Sequence, residues 1–346
     1  MPSLLPWQQQ DWVHLQAYAA QQRIPQALLV SGKKGLGKQH FVNQFAYSLL
    51  CAKPHADGLA CGQCHSCVLL NAETHPDYIV VKPDGLGKSI TVDQIRGVIV
   101  RLTLKPQFDG YRVVIVNPAD AMNTNAANAF LKCLEEPAGR TVIILISERA
   151  KALPATIVSR CQKMALTMPD RETVLAWLQQ QKPGLSPCDI EILLDLAQLA
   201  PLLALQFAND ETLNLRNTCF SSWMAIAQRR SHPVIVAEQW QKLPGPSLIF
   251  WMTSWVIDMI KCGYQAGQHQ LYNPDLNKPL QALAQRLELK GLYQWYDLLL
   301  VSRQRLQTPI NKQSLLEEIL IQWLQLNQST HHGRITTTSR HIDTFN

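Results

Sequence analysis

The sequence contains no long uninterrupted apolar run, and this absence narrows the classes of protein to which it can belong. No stretch of about 18 apolar residues occurs in the 346-residue chain, so the sequence predicts no membrane span. Residues 1–7 contain no basic segment followed by an apolar core, which argues against a secretory signal peptide. With 47% hydrophobic and 17% charged residues, the composition is typical of a soluble globular protein, and we expect a cytoplasmic one.

The phosphate-binding pattern near the start of the chain lacks one of its residues. An apolar run at 27–31 leads into Gly32-Lys33-Lys34-Gly35-Leu36-Gly37-Lys38-Gln39, the strand, glycine loop and helix order of a phosphate-binding loop. Glycine N–H groups can converge on phosphate oxygens there, and the helix dipole and Lys38 add positive potential. Gln39, however, stands where a Ser or Thr hydroxyl would hold magnesium. We predict a folded loop at Gly32, Gly35, Gly37 and Lys38, leave ATP or ADP binding open, and expect no magnesium-dependent hydrolysis.

Acidic residues are also missing from the end of the strand where an ATPase would need them. The run Arg112-Val113-Val114-Ile115-Val116 is interpreted as the central strand, and Asn117 and Pro118 follow it. An ATPase needs carboxylates there to hold the metal and to polarise water, and Asp120 comes three residues too late to be aimed at the same point. Ser147 ends a neighbouring strand; its hydroxyl could contact a γ-phosphate or could be an ordinary strand-ending serine.

A second Gly-Lys-Ser sequence, Gly87-Lys88-Ser89, imitates the end of a phosphate-binding loop. Lys82 stands five positions before Gly87, where the motif needs a glycine, and Pro83-Asp84-Gly85 is typical turn chemistry. We therefore interpret residues 83–89 as a hairpin tip that leads into a helix starting at Val92.

Four of the nine cysteines are clustered, which indicates a metal site. Cys51 is followed after nine residues by Cys61-Gly62-Gln63-Cys64-His65-Ser66-Cys67. In a reducing compartment, clustered thiols more often bind metal than form disulfides, and four thiols can surround one tetrahedral zinc ion. Because four protein ligands leave no open coordination position, we predict a structural zinc held by Cys51, Cys61, Cys64 and Cys67.

Two other chemistries are compatible with clustered thiols. An iron–sulfur cluster also takes four thiolates, so it stays open as an alternative. A redox site would need one reactive pair at a helix start rather than four thiols, which makes it a poorer match. His55 and His65 are interpreted as bystanders of the metal site.

The order of the predicted elements indicates an α/β domain followed by helices. Five apolar runs alternate mostly with helices, which predicts a parallel sheet with helices on both faces. The runs lie at 27–31, 78–81, 113–117, 141–146 and near 163–166. The chain divides into residues 1–167 for this domain with a zinc module at 51–67, residues 168–208 for a small helical unit, residues 209–327 for an all-helical domain, and residues 328–346 for a disordered tail.

Six tryptophans fall within the long amphipathic segments of the all-helical domain. They are Trp223, Trp240, Trp251, Trp255, Trp295 and Trp323. We interpret them as contacts in a helical core rather than as a platform for stacking a nucleotide.

Arg160 is the candidate for a role outside this chain. It lies in Ser159-Arg160-Cys161, before the last predicted strand, where its own site needs no second cation. A guanidinium offered to a neighbour's phosphate would spread transition-state charge. Sequence physics alone nevertheless favours a solvated arginine at such a position.

Taken together, these residues resemble the delta-prime family of bacterial DNA polymerase III clamp-loader subunits, which are AAA+ proteins. The resemblance covers the chain to about residue 327. It rests most on the four-cysteine module, on Ala126-Ala127-Asn128-Ala129-Phe130-Leu131-Lys132 running into Leu134-Glu135-Glu136-Pro137, on Ser159-Arg160-Cys161, and on Asn311-Lys312-Gln313 leading towards Trp323.

The resemblance implies an AAA+ nucleotide-binding-type domain, a helical lid, and an all-α collar domain that joins a five-subunit ring. The partners implied are the tau or gamma ATPase subunits and a delta subunit, with the sliding clamp and primed DNA met indirectly and no membrane involved. Such a subunit does not hydrolyse ATP, and it lends Arg160 in trans to the site of the adjacent ATPase subunit. A bacterial cytoplasmic location is implied as well.

The chain departs from an active clamp-loader ATPase at Gln39, Asn117 and Pro118, and at Leu202, near the place of the lid's sensor arginine. It departs from some delta-prime relatives by keeping a complete Gly32–Lys38 loop, which leaves nucleotide binding open. Two alternative functions therefore stand beside the first. One is a working ATPase that tolerates the substitutions, and the other is a zinc module that binds DNA directly.

Overall fold

The computed structural model describes residues 3–329, apart from residues 22, 86, 109, 138, 265–270 and 307. The chain forms two compact units. The first comprises Met1–Gln181 with Leu199–Leu205, and the second comprises Lys182–Gln198 with the chain from Gln206 onward. The finer division into nucleotide-binding-type, lid and collar domains stays a prediction. Of the tail at 328–346, residues 330–346 lie outside the described residues.

The first unit is built on a five-stranded parallel sheet, as predicted. The strands are β1 (Ala27–Ser31), β2 (Tyr78–Val81), β3 (Arg112–Val116), β4 (Thr141–Ser147) and β5 (Gln162–Ala165). Their order across the sheet is β2-β3-β4-β1-β5. The interpretation of β3 as the central strand is therefore wrong. β4 lies in the centre between β1 and β3, and all of its residues are buried, as a strand with neighbours on both edges and helices on both faces requires.

Helices cover both faces of this sheet, which confirms the predicted α/β layering. They are α1 (Gln9–Ala20), α2 (Lys38–Leu50), α3 (His65–Asn71), α4 (Val92–Thr103), α5 (Thr124–Glu135), α6 (Ala155–Val158) and α7 (Arg171–Gln181). Leu28 and Val30 of β1 share a core with Phe41 of α2, whereas Leu29 belongs to a second core with Phe130 of α5. Successive strand residues point to opposite faces, so one apolar run supplies both cores.

Residues 83–89 connect β2 to α4 and are not a hairpin tip, so that interpretation is wrong. β2 pairs in parallel with β3, and Ile90 forms a parallel bridge with Met122. The helix that follows is capped at Thr91. Its Oγ1 accepts the Gln94 N–H at 3.4 Å, and Gln94 Oε1 accepts the Thr91 N–H at 3.0 Å. Turn residues reveal a change of direction but not how the next element pairs.

The second unit is entirely helical in its described part. Its helices are α8 (Pro187–Leu196), the end of α9 (Pro201–Asn209), α10 (Thr212–Ala227), α11 (Pro233–Trp240), α12 (Gly245–Gly263), α13 (Asn277–Ala284), α14 (Leu289–Arg305) and α15 (Lys312–Ser329). The last helix ends two residues beyond the predicted limit of 327. Among the described residues, no single helix is long and apolar enough to cross a membrane.

Tryptophans form the centre of the second unit, which confirms their interpretation as core residues. All six are buried. The rings of Trp223 and Trp323 stack with centroids 4.0 Å apart and planes 12° apart, and Trp295 lies 5.0 Å from Trp323. The Nε1–H of Trp323 donates to the backbone oxygen of Trp223 at 3.1 Å, so this pair is also hydrogen-bonded.

Candidate functional site

The predicted phosphate-binding loop folds as a turn between β1 and α2. Gly35 and Gly37 have φ angles of 83° and 81°, a backbone region that residues with a Cβ enter at a cost. α2 starts at Lys38, directly after Gly37. The strand, loop and helix order derived from the sequence is therefore present.

Lys38 is hydrogen-bonded within the loop itself. Its ammonium is buried and donates to the backbone oxygens of Gly32 at 2.8 Å and Lys33 at 2.7 Å. The Glu148 carboxylate lies 4.0 Å away. Burial lowers the pKa of Lys38, and the nearby carboxylates of Glu148 and Asp120 oppose that shift. The carbonyl groups of the loop thus accept hydrogen bonds from the Lys38 ammonium, the group that the motif would offer to a phosphate.

Side chains of the N-terminal segment hold the carbonyl groups at the end of the loop. Trp7 Nε1 donates to the Leu36 oxygen at 3.0 Å, and Gln8 Nε2 donates to the oxygens of Leu36 at 3.2 Å and Gly37 at 3.0 Å. A Cβ on Gly37 would lie 2.6 Å from Leu5 Cδ1, so the approach is close. Sequence reasoning missed Trp7 and Gln8, because no local pattern links them to a loop about 30 positions away in the chain.

The start of α9 covers the loop from a second direction. The Leu202 N–H donates to the Gly35 oxygen at 3.0 Å, and a Cβ on Gly35 would meet the Cβ atoms of Ala200 and Leu203 at 3.0 Å. Leu202, which the resemblance places near the lid's sensor arginine, thereby puts an aliphatic side chain beside the loop. Its Cδ1 atom would lie 3.4 Å from a Cβ at Gly37.

Gln39 and Asn117, the two residues at positions where the sequence pattern of an ATPase predicts magnesium-binding groups, contact each other. Asn117 Nδ2, at the end of β3, donates to Oε1 of Gln39 in the first turn of α2. Gln39 Nε2 in turn contacts Asn43 Oδ1, which accepts the Tyr78 hydroxyl at 3.0 Å. Neutral amides therefore occupy the region between the loop helix and β3, where an ATPase needs hydroxyl and carboxylate oxygens for its metal.

The Asp120 side chain contacts the residues that follow β4. Its largely buried carboxylate accepts the Glu148 N–H at 3.2 Å and lies 3.6 Å from Nε of Arg149. Ser147 is completely buried, and its Oγ accepts the Arg149 N–H at 3.1 Å. Both side chains therefore organise the turn after β4.

Arg160 lies on the surface of the first unit, one residue beyond the C-cap of α6. Its side chain is 37% exposed, and Nη2 lies 2.7 Å from Oε1 of Glu135, which is 50% exposed. Nη1 donates to the Thr156 oxygen at 3.0 Å, so the guanidinium is also hydrogen-bonded to the backbone of α6. The adjacent Cys161 is buried, and burial raises the pKa of its thiol to about 11.

The four predicted metal ligands come together. The Sγ atoms of Cys51, Cys61, Cys64 and Cys67 all lie within 4.8 Å of one another. Three separations are 3.5 Å between Cys51 and Cys61, 3.9 Å between Cys51 and Cys64, and 3.9 Å between Cys61 and Cys67. Zinc–sulfur bonds of about 2.3 Å in a tetrahedron require separations of about 3.8 Å, so this set fits one ion.

Backbone N–H groups donate hydrogen bonds to these sulfurs. The Cys61 N–H donates to Cys51 Sγ at 3.3 Å, and the Cys64 N–H donates to Cys61 Sγ at 3.4 Å. Hydrogen bonds from Gln63 and Cys64 lower the pKa of the Cys61 thiol to about 6, which favours the thiolate. His55 and His65 are not in the cluster that the described residues form.

Two family models together match most of the chain. The family described as "DNA polymerase III, delta subunit" matches residues 7–170, and the one described as "DNA polymerase III, delta subunit, C terminal" matches residues 210–325. Among solved structures, a gamma subunit-related protein of DNA polymerase III from Thermotoga maritima has a TM-score of 0.41 and 17% identity, and the match covers 90% of this chain and 99% of that one.

Three curated relatives carry the same name, DNA polymerase III subunit delta'. The Pseudomonas aeruginosa protein is 35% identical over 94% of this chain and 99% of its own length. The Haemophilus influenzae protein is 32% identical over 78% of this chain and 80% of its own length. The Escherichia coli protein is 28% identical over 91% of this chain and 94% of its own length. The chain therefore belongs to the DNA polymerase III subunit delta' family.

Proposed function

We propose that this chain is a non-hydrolysing subunit of a bacterial clamp loader that lends Arg160 to a neighbouring ATPase subunit. In this role it joins tau or gamma ATPase subunits and a delta subunit in a five-membered ring. The ring loads a sliding clamp onto primed DNA in the cytoplasm, and this subunit meets clamp and DNA indirectly. Family membership supports the assembly, and the geometry around Gln39, Asn117 and Arg160 supports the division of labour.

The contact between Asn117 and Gln39 carries the non-hydrolysing part of the proposal. Magnesium prefers hard oxygen ligands with negative charge, and it usually sits between phosphates and a carboxylate. The two amides meet each other instead and bring no negative charge. Lys38 is held by the carbonyls of Gly32 and Lys33, so nucleotide would also have to compete with internal hydrogen bonds. The loop thus supports the fold rather than a reaction.

The position of Arg160 supports a role in trans. Its partner Glu135 is half exposed, so the ion pair is weak and exchangeable in water. A phosphate group of a neighbour would accept two guanidinium hydrogen bonds and carry more negative charge than one carboxylate. Arg160 can therefore leave Glu135 for a neighbour's nucleotide when the ring closes. There it would stabilise the charge that develops during phosphoryl transfer.

A reconstituted loader tests this role. We expect Arg160→Ala to leave the subunit folded and assembled and to lower DNA-stimulated ATP hydrolysis by about 10³-fold or more at the affected site. Arg160→Lys keeps the charge but loses the planar fork, so it should recover only part of the rate. The matched control is Glu135→Gln, which frees the same arginine and should keep the wild-type rate or exceed it. An unchanged rate with Arg160→Ala in a complete ring would remove the proposal.

The isolated chain provides a second test. We expect no magnesium-dependent ATP turnover by the purified polypeptide, because Gln39 and Asn117 offer neutral amides where an ATPase uses a hydroxyl and a carboxylate. Measurable turnover that disappears in Lys38→Met would instead favour a working ATPase.

We assign a structural zinc to the cysteine cluster. If replacing Cys61 and Cys64 abolished DNA binding by a chain that stays folded, that result would favour the direct DNA-binding alternative.

A further inference from the structure

The four cysteines reach the cluster from two separate pieces of the chain. Cys51 follows the last residue of α2, Leu50, whereas Cys64 and Cys67 lie at the start of α3. One buried side chain joins these two pieces without being a ligand. Ser66, between Cys64 and Cys67, donates its hydroxyl proton to the Leu50 oxygen at 2.6 Å.

His75 completes this link from outside the cluster. Its Nε2 atom lies 2.8 Å from Ser66 Oγ, and its Nδ1 accepts the Asp77 N–H at 3.2 Å. Because Nδ1 accepts, the neutral ring carries its proton on Nε2 and donates to Ser66 Oγ. Ser66 Oγ therefore accepts a hydrogen bond from His75 and donates one to the Leu50 oxygen. Each hydrogen bond from Asp77 to Leu50 thus has one donor and one acceptor. The ring is 4% exposed.

The sheet fixes the position of His75. The neighbouring Asp77 is fully buried, and its carboxylate lies 3.1 Å from Nη2 of Arg112 at the start of β3. It also accepts the N–H groups of Gln107 at 2.9 Å and Phe108 at 3.2 Å. The Phe108 ring packs on the His75 ring with centroids 5.1 Å apart. The histidine is thus held by the Asp77 N–H and by the Phe108 ring, and Asp77 is itself anchored to β3.

We propose that Ser66 and His75 are positioning residues of the four-cysteine site. They hold the Cys51 piece against the Cys64 and Cys67 piece before a metal arrives, so the thiolates are gathered at a lower cost in conformational entropy. Groups that orient ligands commonly change metal affinity by about 10- to 100-fold although they do not touch the ion. This inference rests on the zinc site of the proposed function and adds the residues that set its affinity.

Competition for Zn²⁺ between the full-length chain and a chromogenic chelator tests the proposal. We expect Ser66→Ala to weaken Zn²⁺ binding by about 10- to 100-fold. His75→Phe keeps a ring against Phe108 but cannot donate to Ser66, so it should weaken binding to a similar extent. The double variant should lose little more than either single one, because both substitutions break the same link. The Co²⁺ spectrum should keep the signature of four thiolates in every variant.

The control is His55→Ala, which removes an exposed histidine between Cys51 and Cys61. It should bind Zn²⁺ as the wild type does. The proposal is overturned if Ser66→Ala binds Zn²⁺ within twofold of the wild type, or if the two losses simply add. Should His75→Phe not fold, Ser66→Ala decides alone, since it removes only one oxygen atom. A wild-type chain that gives no four-thiolate Co²⁺ spectrum would refute the zinc site itself, which is a different failure.

Discussion

Asn117 and Gln39 are 78 positions apart in the chain, yet the amide of one donates to the amide oxygen of the other. The sequence pattern predicts a magnesium-binding group at each of these positions in an ATPase, and here the two amides satisfy one another. Without this contact, each partly buried amide would lose this partner, at a cost in stability. The pair therefore joins the first turn of α2 to the end of β3.

Asn117→Ala should separate this structural role from a catalytic one. Removing the amide leaves the Gln39 oxygen without its donor, and we expect the free energy of unfolding to fall by about 1 kcal/mol. The ATPase rate of an assembled loader should not change, because the proposed function gives this residue no metal to bind. Urea denaturation and loader turnover measure the two effects. A severalfold loss of turnover in a fully assembled ring would contradict this expectation.

Lys38→Met should likewise lower the stability of the chain. The ammonium donates to the oxygens of Gly32 and Lys33, and its loss should lower the free energy of unfolding by about 2 kcal/mol, as for hydrogen bonds of charged groups. The control is Lys34→Met on the same loop, where the side chain is exposed and little change is expected. Equal stability of the two variants would contradict the internal role of Lys38.

Arg112→Met should be among the more damaging single substitutions in the first unit. It leaves the buried Asp77 carboxylate without its partner, and we expect a loss of about 3–5 kcal/mol in the free energy of unfolding. Arg96→Met is the matched control, because Arg96 pairs with Asp93 on an exposed helix surface at 3.2 Å, an interaction that contributes about 1 kcal/mol or less. Similar losses from both variants in urea denaturation would be inconsistent with a buried ion pair.

Metal binding should release protons and strengthen as the pH rises from 6 to 8. Burial raises the pKa of the Cys51 and Cys67 thiols, so these must lose protons to bind Zn²⁺ at neutral pH. Cys61, with a pKa of about 6, is mostly ionised already and contributes little to this release. Calorimetry in buffers of different ionisation enthalpy should therefore find more than one proton released per ion at pH 7.5. Affinity that does not vary with pH would contradict protonated thiols in the metal-free site.

Metal removal should loosen one part of the first unit and spare another. We expect a chelator to increase amide exchange between residues 51 and 77, where the cluster and the Ser66–His75 link lie. The buried strands β3 and β4 should stay protected, because their contacts do not depend on the cysteines. Exchange that rises equally across the sheet would show that the metal supports the whole unit.

The sequence by itself determined the features that depend on near neighbours in the chain. Runs of β-branched residues produced β2, β3 and β4, and glycines at 35 and 37 produced the turn before α2, because backbone preferences act over a few residues. The spacing of Cys61, Cys64 and Cys67 likewise brings their sulfurs together through local geometry.

Only the tertiary structure decided which distant groups meet. It made β4 the central strand, showed that residues 83–89 are not a hairpin, and turned Asp120 towards Glu148. It also brought Gln8 and Leu202 onto the loop and His75 onto Ser66. These contacts depend on strand order and on packing between segments far apart in the chain. Such packing leaves no periodic pattern in the sequence of either segment.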